Sequence, residues 1–168
     1  YKAHKRIVFN GNGYTDAWVE EAEKRGLLNL KSTPEALPYL GHAKNIALFE
    51  KHNIFNKAEV ESRVEILLEN YSTTISIEAA TMLDMFHKDI LPAITAYNED
   101  LTKAVLDKKA AGIAAGFEGA LADKLSTLGA EMYASAEKLA EDAKAAAEIA
   151  DSEKQALYYH DVVLEEMG

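Results

Sequence analysis

The sequence contains no cysteine, only three prolines and nine glycines in 168 residues, and no long apolar run. The missing cysteines exclude disulfides, thiolate metal sites and a cysteine nucleophile. Few glycines and prolines, with 48% hydrophobic residues, argue against a disordered chain. No apolar stretch approaches the roughly 20 residues of a membrane-spanning helix, and none forms a secretory signal after the basic start. The sequence also lacks an initiator methionine, so we expect a piece of a longer protein.

Basic residues are the scarcer charged class: 18 lysines and arginines stand against 28 aspartates and glutamates, for a net charge of −10. Nucleic acids and anionic membranes select basic surfaces, so this balance predicts that neither is a partner. Length and composition together predict one cytoplasmic, mostly helical domain.

The amino-terminal segment contains the one β-prone run, residues 6–9, which is followed by the turn-forming Asn-Gly-Asn-Gly of residues 10–13. No convincing second strand follows, and a lone strand cannot satisfy its own backbone hydrogen bonds. We therefore expect a short extended segment that pairs with something outside this sequence, or else a segment that is not a strand.

Short helices are predicted next. Thr15 caps a first helix that Gly26 closes, and Thr33 followed by Pro34 begins a second. A third is predicted around residues 46–49.

A much longer helix is predicted to begin at Asn56, which forms a capping-box pattern with Glu59. No glycine or proline interrupts residues 57–91, and 35 helical residues span about 50 Å. Pro92 predicts a kink rather than an end, because it removes one backbone donor and crowds the preceding turn. The helical apolar stripe consists of Val60, Val64, Leu67, Leu68, Tyr71, Ile75, Met82, Phe86 and Ile90, continued by Ile94, Tyr97, Leu101 and Val105.

The chain is expected to reverse within residues 108–116, where small residues and two glycines occur. A second long stripe comprises Phe117, Leu121, Leu125, Leu128, Met132, Leu139, Ala143 and Ala147, and a last helix capped by Asp151 or Ser152 carries Leu157, Tyr158, Val162 and Val163. The predicted fold is an all-α antiparallel bundle of long helices, kinked near Pro92, with short amino-terminal helices and a short extended segment. Residues 1–30 form the extended segment and first helix, and residues 31–168 form the bundle.

One pair of residues suggests a metal site. Asp84 and His87 stand three residues apart on one helical face, the spacing that di-iron bundles use twice, whereas this sequence has one copy. Glu65, Glu69 and Glu78 offer further oxygens, but charges along a long helix usually form its solvated face. We favour the solvated face and keep a metal-binding bundle of Asp84, His87, Glu65 and Glu69 as an alternative.

Two further patterns suggest chemistry more weakly. Gly11-Asn12-Gly13 precedes a helix like a phosphate loop, but Asp16 occupies the place of the third glycine and would repel a phosphate. A plain turn is favoured.

Ser72, Thr73 and Thr74 have no base in register, and such hydroxyls usually bond to the preceding turn. His160 and Asp161 are helical neighbours about 100° apart, which are not expected to face each other. The residues alone therefore predict no catalytic, cofactor-binding or metal-binding site.

Residues 4–14, His-Lys-Arg-Ile-Val-Phe-Asn-Gly-Asn-Gly-Tyr, carry a family resemblance that helical periodicity would not dictate. With Trp18 and residues 21–30, they resemble the carboxy-terminal part of type III glutamine synthetases. The resemblance continues through residues 33–38, 44–46, 67–71, 77–79, 81–82 and 89–93, weakens over 110–150, and returns at 158–159 and 161–163.

The resemblance implies a ligase that joins glutamate and ammonia with ATP and Mg or Mn, in a homo-oligomer of stacked rings. It places the substrate, phosphate and metal residues upstream of Tyr1, so none transfers to this sequence. It also implies an absent catalytic body that residues 1–30 would contact, and a further helical segment beyond Gly168 whose absence would leave an apolar face open.

We therefore expect a non-catalytic helical domain that serves packing, oligomer assembly or regulatory contacts. Its expected partners are the catalytic domain of the same polypeptide and neighbouring subunits. A free-standing helical adaptor stays open as a second alternative to the metal-binding bundle.

Overall fold

The computed structural model describes residues 2–168, so Tyr1, the first residue of the predicted segment 1–30, lies outside the described residues. Over the described part the chain is 80% helical and has no strand, which confirms the all-α prediction. Three short helices precede the bundle: α1 (Asp16–Lys24), α2 (Thr33–Leu40) and α3 (Ala43–Lys51). The bundle comprises α4 (Lys57–Met85), α5 (Leu91–Ala110), α6 (Gly116–Ala147), α7 (Ser152–Tyr158) and α8 (Leu164–Met167), with π-helical turns at Phe86–Ile90 and Tyr159–Val163.

The β-prone run at residues 6–9 does not form a strand in this chain, which agrees with the second of the two expectations, while pairing with something outside the sequence stays a prediction. A 3₁₀ helix covers Lys2–Ile7 instead, and residues 8–10 have no regular structure. Without a neighbouring strand among residues 2–168, the run has no backbone partner for pairing. Phe9 packs on Trp18, with ring centroids 4.6 Å apart, and Arg25 donates a 3.1 Å hydrogen bond to the carbonyl of Arg6. Side chains therefore hold this segment to α1.

The boundaries of the short helices follow local sequence signals. Thr15 occupies the N-cap position of α1, as predicted, but its side chain forms no capping hydrogen bond and its hydroxyl donates to the Asn12 carbonyl instead. Gly26 closes α1 with a φ of +70°, a conformation that glycine adopts without strain. Helix α2 begins at Thr33, but its cap is Ser32, which the sequence analysis missed. Ser32 and Glu35 form a reciprocal capping box that a Ser-x-x-Glu pattern signals.

The predicted capping box at the start of α4 is confirmed. The Glu59 amide donates to Asn56 Oδ1 at 3.0 Å, and the Asn56 amide donates to Glu59 Oε2 at 2.8 Å. From there one helix of 54 residues runs without interruption to Ala110.

The helix continues past Pro92, as predicted, and a π-helical turn, Phe86–Ile90, lies one turn before the proline, while the kink itself stays a prediction. The Leu91 amide donates to the carbonyl of Phe86, five residues earlier. Pro92 has no amide hydrogen and its ring crowds the carbonyl four residues before it, so a wider turn at this place accommodates the proline without ending the helix.

Asn56→Ala is expected to lower the free energy of unfolding by about 1 kcal/mol, because it leaves the Glu59 amide without its cap. Asn70→Ala is the matched control, since Asn70 is an exposed residue inside the same helix. Urea denaturation followed by far-ultraviolet circular dichroism measures both values. Equal effects of the two substitutions would contradict a capping role.

The reversal occurs where it was predicted. Helix α5 ends at Ala110, Gly112 adopts a φ of +73°, and α6 begins at Gly116. Asp151 caps the last helix through a 2.9 Å hydrogen bond from the Lys154 amide. Helix α6 returns along α5 and the end of α4, α7 packs on α4, and α2 packs on both α4 and α7. The short helix α2 thus closes one end of the bundle.

The core lies where α4, α6 and the last helical segment meet. Its buried members are Ile75, Ala79, Leu139, Ala146, Tyr159 and Val163. Several residues predicted to be buried are exposed instead: Leu67, Met82, Ile90, Tyr97, Phe117, Leu128, Met132 and Ala147. The stripes were located correctly, but each long helix has too few neighbours to cover the full width of its stripe.

Candidate functional site

The structure does not bring the candidate metal ligands together. Asp84 Oδ1 accepts from the Lys88 ammonium at 2.6 Å, and the His87 ring packs edge-on against Phe86. Glu65 and Glu69 are exposed on α4. Within residues 2–168 no three histidine, aspartate or glutamate side chains gather as a metal would require. The metal-binding alternative is therefore not favoured.

The Gly11-Asn12-Gly13 loop is organised by its own asparagine. The Tyr14 amide donates to Asn12 Oδ1 at 3.0 Å, and the Thr15 hydroxyl donates to the Asn12 carbonyl at 2.8 Å. The Asn12 side-chain oxygen thus already accepts from the Tyr14 amide, which a bound phosphate would need as a donor. Asp16 in the first turn of α1 adds a negative charge at the same place. The loop therefore does not fit the phosphates of the ATP that the resemblance implies. Asp84, His87, Glu65 and Glu69 do not fit the implied Mg or Mn either, because they do not gather at one point.

The three hydroxyl residues of α4 differ in their surroundings. Thr74 donates to the carbonyl of Asn70 at 2.9 Å, as expected for a helical hydroxyl. Thr73 is exposed, whereas Ser72 is buried and its Oγ has no hydrogen-bond partner among the described residues. No base lies within hydrogen-bond distance of any of them in that part of the chain.

The expectation that His160 and Asp161 do not face each other is wrong. His160 Nδ1 lies 2.7 Å from Asp161 Oδ1. Both residues belong to the π-helical turn Tyr159–Val163, whose wider winding changes the angle between neighbours. Hydrogen bonds with Ser32 are the main cause of a lowered pKa of Glu35 in α2. The nearby His160 lowers it slightly further.

Tyr159, missed by the sequence analysis, is a buried tyrosine at the centre of the bundle. Burial raises the pKa of its hydroxyl above the usual 10, and a hydrogen bond with Ser76 partly opposes that shift. Burial also raises the pKa of Tyr71, with the carboxylates of Asp161 and Glu78 adding to the effect. Both hydroxyls are therefore held in the neutral form.

Tyr159→Phe is expected to make the free energy of unfolding fall less steeply as the pH rises above 10. Because the pKa is higher in the folded state, the neutral hydroxyl stabilises the fold fully below pH 10, and this contribution is lost as the pH rises through the folded-state pKa. One proton accounts for at most about 1.4 kcal/mol per pH unit. Urea titrations from pH 8 to 11 should show a shallower loss of stability for Tyr159→Phe. The exposed Tyr133→Phe should follow the unaltered chain, and an identical slope for both variants would contradict the assignment.

A groove between the long helix and α6 is the most distinctive surface feature. We call it the methionine groove, and its volume is about 380 Å³. Phe86, Ala136 and Leu139 form its buried floor, and Glu166 lies at the end formed by α8. The Lys138 ammonium binds the Glu166 carboxylate, which raises the pKa of Lys138 and holds α8 against α6. The exposed lining residues are Met82, Ile90, Leu128, Glu131, Met132 and Ser135.

Along residues 2–168, none of the helices combines the length and the apolar character that crossing a bilayer requires.

The described residues thus define an all-helical domain that presents apolar surfaces and gathers no metal-ligand cluster. A family model described as "Glutamine synthetase C-terminal domain" matches residues 1–109, and the chain belongs to this family. The resemblance recognised in the sequence is confirmed.

Three relatives of the chain are named as glutamine synthetases. The chain is 47% identical over 167 residues to "Glutamine synthetase" of Butyrivibrio fibrisolvens, covering 98% of this chain and 24% of that protein. It is 47% identical over 102 residues to "Type-3 glutamine synthetase" of Dictyostelium discoideum, covering 61% of this chain and 14% of that protein. It is 34% identical over 99 residues to "Glutamine synthetase" of Bacteroides fragilis (strain YCH46), covering 59% and 14%. The chain thus spans at most about a quarter of these relatives.

Proposed function

We propose that the chain serves a glutamine synthetase as a helical domain without an active site of its own, packing against the catalytic part of the same polypeptide or against neighbouring subunits. ATP and Mg or Mn would act in the catalytic part. The cytoplasmic location expected from the sequence belongs to the same proposal.

The observation that carries this proposal is the apolar surface of the amino-terminal segment. Ile7, Tyr14 and Leu28 are exposed, and the Tyr14 side chain is 100% accessible. Exposed apolar side chains that recur along one segment are typical of a contact surface. Residues 4–14, which show the most specific resemblance, belong to this segment, so the family pattern and the exposed surface coincide.

A chimera tests the proposal. The matching 167 residues of the Butyrivibrio fibrisolvens enzyme are replaced by this chain, and the product is compared with a deletion of the same residues. Size-exclusion chromatography and glutamine formation are the readouts. We expect the chimera to keep the assembly size and activity and the deletion to lose both. A deletion that keeps both would contradict the proposal.

A pair of variants locates the contact. In the chimera, Leu28→Glu places a charge on the exposed apolar segment and should impair assembly. Asn29→Glu adds the same charge at the next, polar position and should be tolerated.

The isolated chain with ATP, glutamate, ammonia and magnesium should form no glutamine, and turnover at an enzymatic rate would contradict the absence of an active site.

A further inference from the structure

Two of the four methionines of this chain line the methionine groove, and the other two are chain neighbours of the lining residues Phe86 and Glu166. Met82 and Met132 line it with 45% and 41% of their surface exposed, Met85 follows one turn along α4, and Met167 packs on the adjacent core. Unbranched, polarisable methionine side chains adapt to varied apolar partners, and binding surfaces use them for that reason.

The shape of the methionine groove suits a helix better than a small ligand. Its wall on α6 extends over residues 128–139, about 17 Å at the helical rise, which corresponds to three turns of a partner helix. The π-helical turn at Phe86 forms part of the opposite wall, and such turns are frequent at functional sites. Small ligands are usually enclosed over most of their surface, whereas the two methionines here stay open to solvent.

The negative charge around the methionine groove further restricts which kind of partner can bind there. The segments 82–90, 128–139 and 164–168 together contain six carboxylates and two lysines, a net charge of −4. Lys88 already pairs with Asp84, and Lys138 with Glu166. The remaining carboxylates, Asp89, Glu131, Glu137 and Glu165, have no lysine of these segments left to neutralise them. A second copy of this chain, with its net charge of −10, would meet repulsion here.

We propose that the methionine groove binds an amphipathic helix that carries basic residues beside its apolar face. The apolar face contacts Phe86, Met82 and Met132, and the basic residues lie near Glu131 and the other free carboxylates. Binding of a helix in a groove through apolar residues at successive turns is an established mode of peptide recognition. This inference goes beyond the proposed role in glutamine synthetase and does not depend on it.

The test uses the 168-residue chain and two designed 14-residue peptides. One combines leucines at helical spacing with lysines, and the other carries glutamates in place of the lysines. Fluorescence anisotropy at 150 mM salt measures the binding of each. We expect a 1:1 complex with the lysine peptide and binding of the glutamate peptide that is at least tenfold weaker. Equal affinities would overturn the proposal.

Two variants separate the methionine groove from general electrostatic attraction. Met132→Glu adds a negative charge inside the groove, and Ile77→Glu adds the same charge at an exposed position of α4 outside it. Met132→Glu should weaken binding of the lysine peptide at least tenfold despite its more negative charge, whereas Ile77→Glu should leave it unchanged or slightly tighter.

Equal binding by the two variants would overturn the proposal, and so would a dimer of the chain that Met132→Glu abolishes in sedimentation, since a second copy would then occupy the groove. Circular dichroism verifies that both variants fold. Met82→Glu, on the opposite wall, provides a second measurement if Met132→Glu does not fold.

Discussion

Leu139→Ala is expected to lower the free energy of unfolding by about 3 kcal/mol, within the usual 2–5 kcal/mol for a buried leucine. Leu139 is only 4% exposed and belongs to the cluster in which α6 meets α4 and the last helix. The substitution removes apolar contacts and leaves a cavity that Ile75 and Val163 cannot fill without moving backbone. Because domains are stable by only about 5–15 kcal/mol, the loss is a large share of the total.

Leu128→Ala is the matched control for this prediction. It makes the same substitution in the same helix, so the change in helix propensity is identical, but Leu128 is exposed. Urea titrations followed by circular dichroism should show a change below about 0.5 kcal/mol, the usual range at the surface. If the two variants lost equal stability, the core would not be centred on Leu139.

Ala146→Leu is expected to destabilise the chain by about 2 kcal/mol through overpacking. Ala146 is fully buried, with no accessible surface, and Ala79 of α4 belongs to the same cluster and is equally enclosed. Alanine at both positions lets the helices approach closely, so a leucine side chain would have to displace α4 or the last helix.

Ala147→Leu decides between the predicted and the observed register of α6. The sequence stripe contained Ala147, whereas the structure buries Ala146 and exposes Ala147. Thermal or urea denaturation should therefore show a small effect for Ala147→Leu and a large one for Ala146→Leu. The opposite order would restore the sequence-based register and contradict the structure.

The elements that the sequence predicted are those determined by local chemistry. The capping box of Asn56, the glycine that closes α1 and the reversal before Gly116 all depend on residues within one turn of each other. Apart from the Ser32 cap, whose Ser-x-x-Glu signal is local, the missed features depend on distant neighbours. Whether Ala146 or Ala147 is buried is decided by how α4 and the last helix lie against α6, and sequence periodicity leaves that choice open by one residue.

The same reason explains what was missed at the surface. Met82, Met132 and Leu128 have the spacing of core residues, so the sequence analysis assigned them to the interior, while the structure gives them too few neighbours and leaves them as walls of the methionine groove. The π-helical turns were missed because a single change in the backbone ladder has no residue signature, although Pro92 marked the vicinity of one of them. Residues 6–9 form no strand because β-propensity has no effect without a pairing partner.

The position of the core has a consequence for how the chain opens. In residues 91–135, the far part of the helical hairpin, only Leu101 is buried among the described residues, whereas the other end of the bundle contains the whole Leu139 cluster. We therefore expect amide protons of residues 91–135 to exchange with solvent through local openings of small free energy, and those around Ala79 and Val163 to exchange only on global unfolding. A partner that binds to residues 91–135 would slow this exchange, because it would stabilise a part of the helical hairpin that the core does not stabilise.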